Sequence, residues 1–214
     1  MKKQTSTFTI FNRYRERAGY CIRFNRIRTV ICQERTIMKQ LVIGFFCLLL
    51  TSVQAQTYKP VDEGSSVKFT IKNFGFNVSG TFHGLNGTIQ YDPAKPLNTS
   101  FDVTVDANTI NTGIDMRDEH LRSDSYFDVK NYPQIHFVST RVTTSNKAGT
   151  FFVFGNLTIK QTTKEISFPF TIKPQADAYL FSGEFKMNRR DFAIGGSGTI
   201  SNDLVVKLEV LTKN

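Results

Sequence analysis

Apolar and polar residues alternate along several stretches of this chain, and this period of two constrains the fold more than any other feature of the sequence. In SVKFTIKNF, for example, Val67, Phe69 and Ile71 fall on one face and polar residues lie between them. Successive side chains of a β-strand point to opposite sides, so this alternation predicts strands that bury one face. The same alternation recurs in SFDVTVDAN, EISFPFTIK, AYLFSGEFKM and DLVVKLEVL. The chain is therefore expected to fold mainly as β-sheet.

Three less regular stretches complete a set of eight predicted strands. Between residues 77 and 91 the apolar parity changes from Phe82 to Leu85, close to three glycines, which indicates a bulge or a sharp bend in a long strand. Residues 150–160, TFFVFGNLTIK, are apolar on both faces, so we expect this strand to be covered on both sides. The eight strands are predicted at 66–74, 77–91, 99–110, 134–144, 150–160, 165–173, 178–189 and 203–212.

The connections between these strands indicate the fold class. Most of them are short, which favours antiparallel neighbours. The sequence therefore predicts an all-β fold, an eight-stranded antiparallel closed barrel with one short helical insertion at about residues 112–128. A sandwich of two sheets is the competing fold, and the long bent strand favours the barrel.

The helical insertion carries the densest charge in the chain, in DMRDEHLRSDSYFD from Asp115 to Asp128. We expect Asp115 to cap a short helix and Asp118 to pair with Arg122 one turn later. The carboxylates and His120 would also suit a general acid and base, which is the basis of an alternative function as a hydrolase-like enzyme. We favour a structural role, because the sequence offers no matched nucleophile or base elsewhere. Three apolar residues of the segment are expected to face the barrel, namely Leu121, Tyr126 and Phe127.

Charge and cysteine positions separate residues 1–55 from residues 56–214. The first part holds ten Lys or Arg and two Glu, whereas the second holds seventeen basic and sixteen acidic residues. The near-neutral second part lacks the electrostatic footprint of a nucleic-acid-binding domain, so no nucleic acid partner is expected. All three cysteines precede residue 56, which leaves no disulfide for the second part. Residues 56–214 are predicted to form one domain.

A signal peptide is predicted over residues 38–55. Met38 opens MKQ, the apolar run LVIGFFCLLL follows, and TSVQAQ then places small residues suitably for cleavage after Ala55. Ten apolar residues are too few for a permanent membrane span. Residues 1–37 are either a misassigned start ahead of Met38 or a long basic leader region. The protein is therefore expected to be exported, to the periplasm or to the cell exterior.

Motifs for metal, cofactor or enzyme chemistry are not found in the sequence. There is no HExxH, no phosphate-binding loop and no GxSxG. The histidines of the predicted domain, His83, His120 and His136, lack the short spacing of metal ligands. We therefore expect neither a metal nor a cofactor, and no enzyme activity.

Four blocks stand out by their order along residues 73–196. They are NFGFNVSGTFHGLNG, RDEHLRSDSYFD with the following YPQIHF, GNLTIKQTTKEI and RRDFAIGG. Taken together and in this order, they resemble the YceI-like, polyisoprenoid-binding family along nearly the whole predicted domain. Gln161 and Ala193 depart from the family pattern, because glycine is frequent at both positions. Both lie at predicted turns or strand ends, so they bear on local geometry more than on the fold.

This resemblance implies a lipocalin-like barrel with a long apolar pore that holds a polyisoprenoid or a similar long-chain amphiphile. It also implies export, because known members are mostly exported bacterial proteins. It implies no catalytic role for the charged segment. The oligomeric state stays open, with a dimer as one option.

The residues themselves indicate an apolar interior. Residues 56–214 hold fifteen of the twenty Phe and no Trp, which suits either a ligand cavity or a solid aromatic core. Arg189 and Arg190, near a strand end, are predicted to meet an anionic head group, and a surface ion pair with Asp191 is the alternative. The predicted lining consists of Phe69, Ile71, Phe82, Phe101, Val103, Phe168, Phe170, Phe181, Phe185, Leu204, Val206 and Leu208.

The favoured function is an exported protein that binds an isoprenoid or another long-chain lipid. A long chain is expected because each buried methylene contributes about 0.8 kcal/mol, so only many of them offset the cost of association. A ligand-free barrel that serves as a stress or surface-interaction module is the remaining alternative.

Overall fold

Each alternating stretch forms a β-strand in the computed structural model, which describes residues 56–213. Consecutive strands pair antiparallel, and the last strand pairs with the first, so the sheet closes into a barrel. The predicted eight-stranded antiparallel barrel is therefore confirmed, and the two-sheet sandwich is excluded. The strands are β1 (Gln56–Asn73), β2 (Phe76–Tyr91), β3 (Ser100–Asn111), β4 (Gln134–Thr144), β5 (Thr150–Ile159), β6 (Thr162–Gln175), β7 (Ala178–Asn188) and β8 (Ile200–Lys213).

The up-and-down order of the strands gathers the connections at two ends of the barrel. One end, called the helix end, holds residues 73–76, 112–133, 160–161 and 189–199. It carries the helix α1 (Asp115–Arg122) and a 3₁₀ turn (Arg189–Phe192). The opposite end, called the tyrosine end, holds the shorter connections at 92–99, 145–149 and 176–177.

The predicted bend in the second strand is confirmed. The β2–β3 pairing shifts register twice, between Thr81 and Asn86. Gly84 and Gly87 adopt φ values of +74° and +116° at this point, in the region that favours glycine. The bend changes which residues point inward, so Phe82 and Leu85 both reach the barrel interior.

The predicted helix forms, but its polar contacts differ from the prediction. Ile114 occupies the N-cap position without a side-chain cap, and Asp115 is the first helical residue, so Asp115 is not the cap. The expected pair between Asp118 and Arg122 is wrong. Asp118 instead accepts hydrogen bonds from Thr112, and Arg122 donates to backbone carbonyls of β3. Both side chains find partners on β3 or on the turn after it, because the barrel brings that backbone against the helix.

The apolar residues of the same segment behave as predicted. Leu121 and Phe127 pack with Phe82 and Ile110 in one core cluster, and Tyr126 packs with Phe192 in another. Phe82 and Phe127 meet edge to face, with ring centroids 5.5 Å apart. The insertion is thus held to the barrel by apolar packing. Within residues 56–213, no helix is long and apolar enough to cross a membrane.

The expectation that β5 is covered on both sides is wrong. Val153 and Leu157 point into the barrel and are buried, whereas Phe152 and Phe154 lie on the outer face and are half-buried. In the described part of the chain, no helix packs on this outer face. The guanidinium of Arg141, on β4, covers the Phe154 ring at 4.0 Å from its centroid. A cation on the neighbouring strand replaces the second layer that the apolar run predicted.

Residues 1–55 lie outside the described residues. The predicted signal peptide at 38–55 and the two readings of residues 1–37 therefore stay predictions, as does export.

Candidate functional site

The inward side chains of the barrel enclose an apolar cavity of about 230 Å³. It occupies the half of the barrel next to the helix end, where it reaches Asn73, Thr112 and Arg117. Nearly all of its wall is aliphatic or aromatic, because strand alternation sends the apolar residues of every strand inward. Its wall includes Val67, Phe69, Ile71, Phe82, Val103, Phe127, Ile135, Phe137, Leu157, Ile159, Ile166, Phe185, Met187, Leu204, Val206 and Leu208.

A second apolar cavity of about 60 Å³ lies deeper in the barrel. The two cavities share wall residues, among them Val103, Phe137 and Phe168. Phe168 stacks on Phe185 with centroids 4.9 Å apart and leans on Phe137 at 5.7 Å. These three rings form a waist between the cavities.

Aromatic rings fill the tyrosine end of the barrel. Tyr179 meets Tyr58 and Tyr91 edge to face, with centroids 5.3 and 4.8 Å apart. Tyr58 is only 2% exposed, and burial raises the pKa of its phenol above the usual value, with Tyr179 adding to the rise. Burial likewise raises the pKa of Tyr91. The barrel is thus packed at this end and hollow towards the helix end.

The structure brings most of the sequence-predicted lining residues together. Nine of the twelve predicted apolar residues line the larger cavity: Phe69, Ile71, Phe82, Val103, Phe168, Phe185, Leu204, Val206 and Leu208. The other three, Phe101, Phe170 and Phe181, line the smaller cavity. Their rings pack edge to face near the tyrosine end. Their role in binding stays a prediction.

The two arginines of the predicted head-group site take different positions. Arg189 lines the larger cavity but is 5% exposed, and its guanidinium donates to the carbonyls of Ser201, Ile194, Gly196 and Ile200. Burial, and then the neighbouring charge of Arg190, lower its pKa. Arg190 is exposed, lies outside both cavity walls and donates to the Gly195 carbonyl.

These contacts give Arg189 a structural task. It ties the 3₁₀ turn to the start of β8, and it needs no carboxylate because carbonyl oxygens satisfy four of its N–H groups. The alternative prediction, an ion pair with Asp191, is wrong for residues 56–213, where neither Arg189 nor Arg190 pairs with a carboxylate. The ion pair does not form because backbone carbonyls of the loop and of β8 lie closer to the two guanidinium groups than the Asp191 carboxylate does.

The sequence did not reveal a second arginine in the cavity wall. Arg117, in the first turn of α1, is half-buried and lines the larger cavity. Its Nε donates to Thr112 Oγ1 at 2.7 Å, and its Nη2 donates to the Thr112 carbonyl at 2.8 Å. Spacing along the chain placed this residue in a charged helix, and nothing in that pattern distinguishes an inward arginine from a solvated one.

The charged groups of the helical segment make no arrangement typical of acid–base catalysis. Asp118 is 4% exposed and accepts hydrogen bonds from Thr112, whereas His120 and Asp124 are exposed at the surface. His136 Nε2 lies 2.7 Å from Asp102 Oδ1, but this pair bridges β3 and β4 on the solvent-exposed outer face. Over the described range 56–213, no cluster of three or more His, Cys, Asp or Glu side chains is suited to hold a metal ion.

The size of the larger cavity sets the length of chain that it can hold. One water-sized group needs about 10–15 Å³ of cavity volume. The larger cavity of about 230 Å³ therefore accommodates roughly 15–20 groups of methylene size. At about 0.8 kcal/mol for each buried methylene, a chain of 15 carbons gains about 12 kcal/mol before costs. The cost of association is about 4–15 kcal/mol, so a short apolar molecule would not bind tightly here.

Comparison with protein families identifies one match that spans the barrel. The family model described as YceI-like domain matches residues 58–211. Protein YceI of Salmonella arizonae is 31% identical over 188 residues, which cover 80% of this chain and 97% of the relative. Protein YceI of Salmonella enteritidis PT4 matches to the same extent.

Solved structures share the fold. Burkholderia cenocepacia BcnA superposes with a TM-score of 0.65 at 24% identity, over 69% of this chain and 95% of BcnA. The YCEI protein of Campylobacter jejuni gives a TM-score of 0.58 at 28% identity, over 65% and 86% of the two chains. A polyisoprenoid binding domain from Saccharophagus degradans, implicated in plant cell wall breakdown, gives a TM-score of 0.59 at 14% identity, over 75% of this chain and 99% of that domain.

Proposed function

We propose that this chain, which belongs to the YceI-like family, binds one long-chain lipid, an isoprenoid or a similar amphiphile, inside its barrel. The observation that carries the proposal is the apolar cavity of about 230 Å³ next to the helix end. A barrel that served only as a solid scaffold would fill this space with side chains, because close packing stabilises protein interiors. The similarity in fold to a polyisoprenoid binding domain supports the same ligand class.

The depth and chemistry of the cavity favour a single flexible chain over a flat or compact ligand. The wall is apolar from Ile71 and Leu204 near the helix end down to the Phe168 waist. A prenyl or alkyl chain of about 15–20 carbons matches this volume. We propose that the protein sequesters or carries such a lipid and performs no chemistry on it.

Native mass spectrometry of freshly purified protein, before and after solvent extraction, tests the proposal. We expect a bound mass of prenyl or alkyl lipid, and uptake of geranylgeraniol by the extracted protein. A protein that neither copurifies with nor takes up any prenyl or acyl chain would contradict the proposal.

Two neighbouring valines of β8 provide a matched pair of variants. Val206 lines the cavity, whereas Val205 faces outward between Thr70 and Lys186 of the adjacent strands. Val206→Phe should fill part of the cavity and weaken geranylgeraniol binding at least about tenfold, because the added ring displaces several methylene-sized groups. Val205→Phe adds the same bulk outside and should leave binding unchanged. Equal loss in both variants would contradict binding inside the barrel.

Export belongs to the same proposal and rests on the sequence of residues 38–55. We propose that the lipid carrier acts outside the cytoplasm after cleavage behind Ala55. N-terminal sequencing of the protein recovered from cell fractions tests this step. A mature chain that starts at Gln56 in the periplasm or the medium is the expected result, and an uncleaved chain in the cytoplasm would contradict it.

A further inference from the structure

A half-buried cation stands at the edge of the apolar cavity. Arg117 is one of two arginines in the cavity wall. The other, Arg189, donates four of its five N–H groups to backbone carbonyls. Arg117 donates two of its N–H groups, both to Thr112. Among residues 56–213, no carboxylate lies within salt-bridge distance of its guanidinium. Arg117 therefore keeps three N–H donors and a full positive charge beside an apolar space.

The direction of its hydrogen bonds shows that the guanidinium is held in place. Thr112 Oγ1 donates its proton to the buried carboxylate of Asp118, so its lone pairs are available to the Arg117 Nε–H. The Thr112 backbone N–H also donates to Asp118, at 2.9 Å. Gly80 leaves room for this arrangement, because a Cβ there would stand 2.9 Å from Thr112 Cγ2. Asp118 thus fixes Thr112, and Thr112 fixes the guanidinium of Arg117.

We propose that Arg117 binds an anionic head group, a carboxylate or a phosphate monoester, of the lipid whose chain fills the cavity. The proposal rests on the proposed function, because it needs the chain to occupy the barrel. A partly desolvated cation without a carboxylate partner is stabilised by an anion, and the planar guanidinium suits two-point contact with carboxylate or phosphate oxygens. The ligand class is then an acidic single-chain amphiphile, oriented with its head at the helix end.

Matched lipids that differ only in the head group test this inference. Affinities are measured for palmitate against hexadecanol, and for geranylgeranyl monophosphate against geranylgeraniol. The wild-type protein should prefer at least one acidic lipid by about tenfold or more, which corresponds to about 1.4 kcal/mol. The two pairs distinguish a carboxylate from a phosphate as the preferred head.

Variants at position 117 assign the preference to this residue. Arg117→Gln should abolish the preference for the acidic lipid and leave alcohol binding within about twofold of wild type, and Arg117→Lys should retain part of the preference because it keeps the charge. Lys72→Gln is the control, since Lys72 is an exposed cation on the outer face of β1 at the same end. It should keep the wild-type preference.

The outcomes separate this inference from the function on which it rests. A wild-type protein that binds acids and alcohols equally well overturns the head-group role and leaves lipid binding intact. A preference that persists in Arg117→Gln overturns the assignment to Arg117. A protein that binds none of the four lipids overturns the proposed function and this inference together. Because the first comparison uses wild-type protein, it holds even where a variant fails to fold.

Discussion

Three of the four arginines at the helix end are candidates for the head-group site, and their guanidinium groups differ in what they contact. Arg189 is buried and bound to four carbonyls, Arg190 is exposed and bound to one, and Arg117 is half-buried and held by Thr112. A buried polar group is costly unless its donors are satisfied, so Arg189 belongs to the structure of the loop. Arg117 alone combines a fixed orientation with unused donors at the cavity.

Gly87 is the residue at which the bend of β2 can be tested. Its φ is +116°, and a Cβ there would stand 2.1 Å from the Asp102 carbonyl oxygen. Gly87→Ala should therefore lower the free energy of unfolding by about 2–4 kcal/mol, through backbone strain and a clash with β3. Urea unfolding followed by circular dichroism measures the change.

The matched control for this change is Gly196→Ala. A Cβ at Gly196 meets nothing within 4 Å, and its backbone lies outside the glycine-favoured region. Its free energy of unfolding should stay within about 0.5 kcal/mol of wild type. Equal stabilities of the two variants would show that β2 has no tight bend at Gly87.

The buried tyrosines predict how stability depends on pH. Burial, and then Tyr179, raise the pKa of Tyr58 above its ordinary value of 10.0, so the folded state holds the phenol proton more tightly than the unfolded state. The stabilisation is fully present below pH 10 and is lost as pH rises from there through the folded-state pKa. Tyr58→Phe removes this group and should make the fall of stability above about pH 10 less steep.

The measurement is the free energy of unfolding in urea at several pH values, for wild type and Tyr58→Phe. The two proteins are first compared at pH 7, where the phenol is protonated in both states, so that the packing effect of the lost hydroxyl is known. Curves that then run parallel up to about pH 11 would show that Tyr58 does not contribute to the pH dependence.

Among the elements, the helical insertion shows how one buried carboxylate organises a segment. Asp118 accepts both the N–H and the hydroxyl of Thr112, and Thr112 in turn holds Arg117. Asp118→Ala leaves these half-buried donors without their acceptor and should lower the free energy of unfolding by about 2–3 kcal/mol. Glu119→Ala, at the exposed neighbouring position, should change it by less than about 0.5 kcal/mol.

Thermal and urea unfolding of both variants check this prediction, and lipid affinity provides a second measurement. If Asp118 orients Arg117 through Thr112, Asp118→Ala should also weaken the preference for acidic lipids while alcohol binding persists. Two variants of equal stability would show that the insertion is held by its apolar residues alone.

The strands were predictable from sequence because their alternation is local. The contacts of the insertion were not, because its partners come from β3, which only the folded barrel brings near. The i,i+4 spacing of Asp118 and Arg122 was correct as geometry on a helix, yet the nearer carbonyls of Asn108 and Ile110 bind Arg122. The prediction that a second layer covers the outer face of β5 was wrong for a similar reason, since the Arg141 that covers Phe154 lies on another strand.

At the scale of the whole molecule, the barrel is packed at one end and hollow at the other. Inward parity predicted which residues line the interior, and nine of the twelve predicted apolar residues line the larger cavity. Parity could not predict how the interior divides into a cavity and an aromatic plug, because that depends on the sizes of side chains from eight strands at the same level. The position of Arg117 in the cavity wall was not predicted, because the side chains of a helix do not alternate between the inside and the outside of the barrel as those of a strand do.

The cavity predicts how affinity depends on chain length. For straight-chain lipids with a common head group, each added methylene should tighten binding about fourfold, which follows from about 0.8 kcal/mol for each buried methylene. The gain should stop at about 15–20 carbons, where the chain reaches the end of the available volume. Displacement of a fluorescent lipid by a series of fatty acids measures the break. Affinity independent of chain length would place the binding site outside the barrel.

The seam between β1 and β8 joins residues that are far apart in sequence, such as Phe69 with Val206. The other neighbouring strands are consecutive along the chain, so they can pair early, whereas the seam has to wait for both strands to meet. Contacts of such long range slow the folding of β proteins. Until the seam closes, β1 and β8 are two unpaired edges on which another chain can add a strand. Changes at the seam should therefore act first on the yield of folding, through the time that each new molecule spends with its edges open.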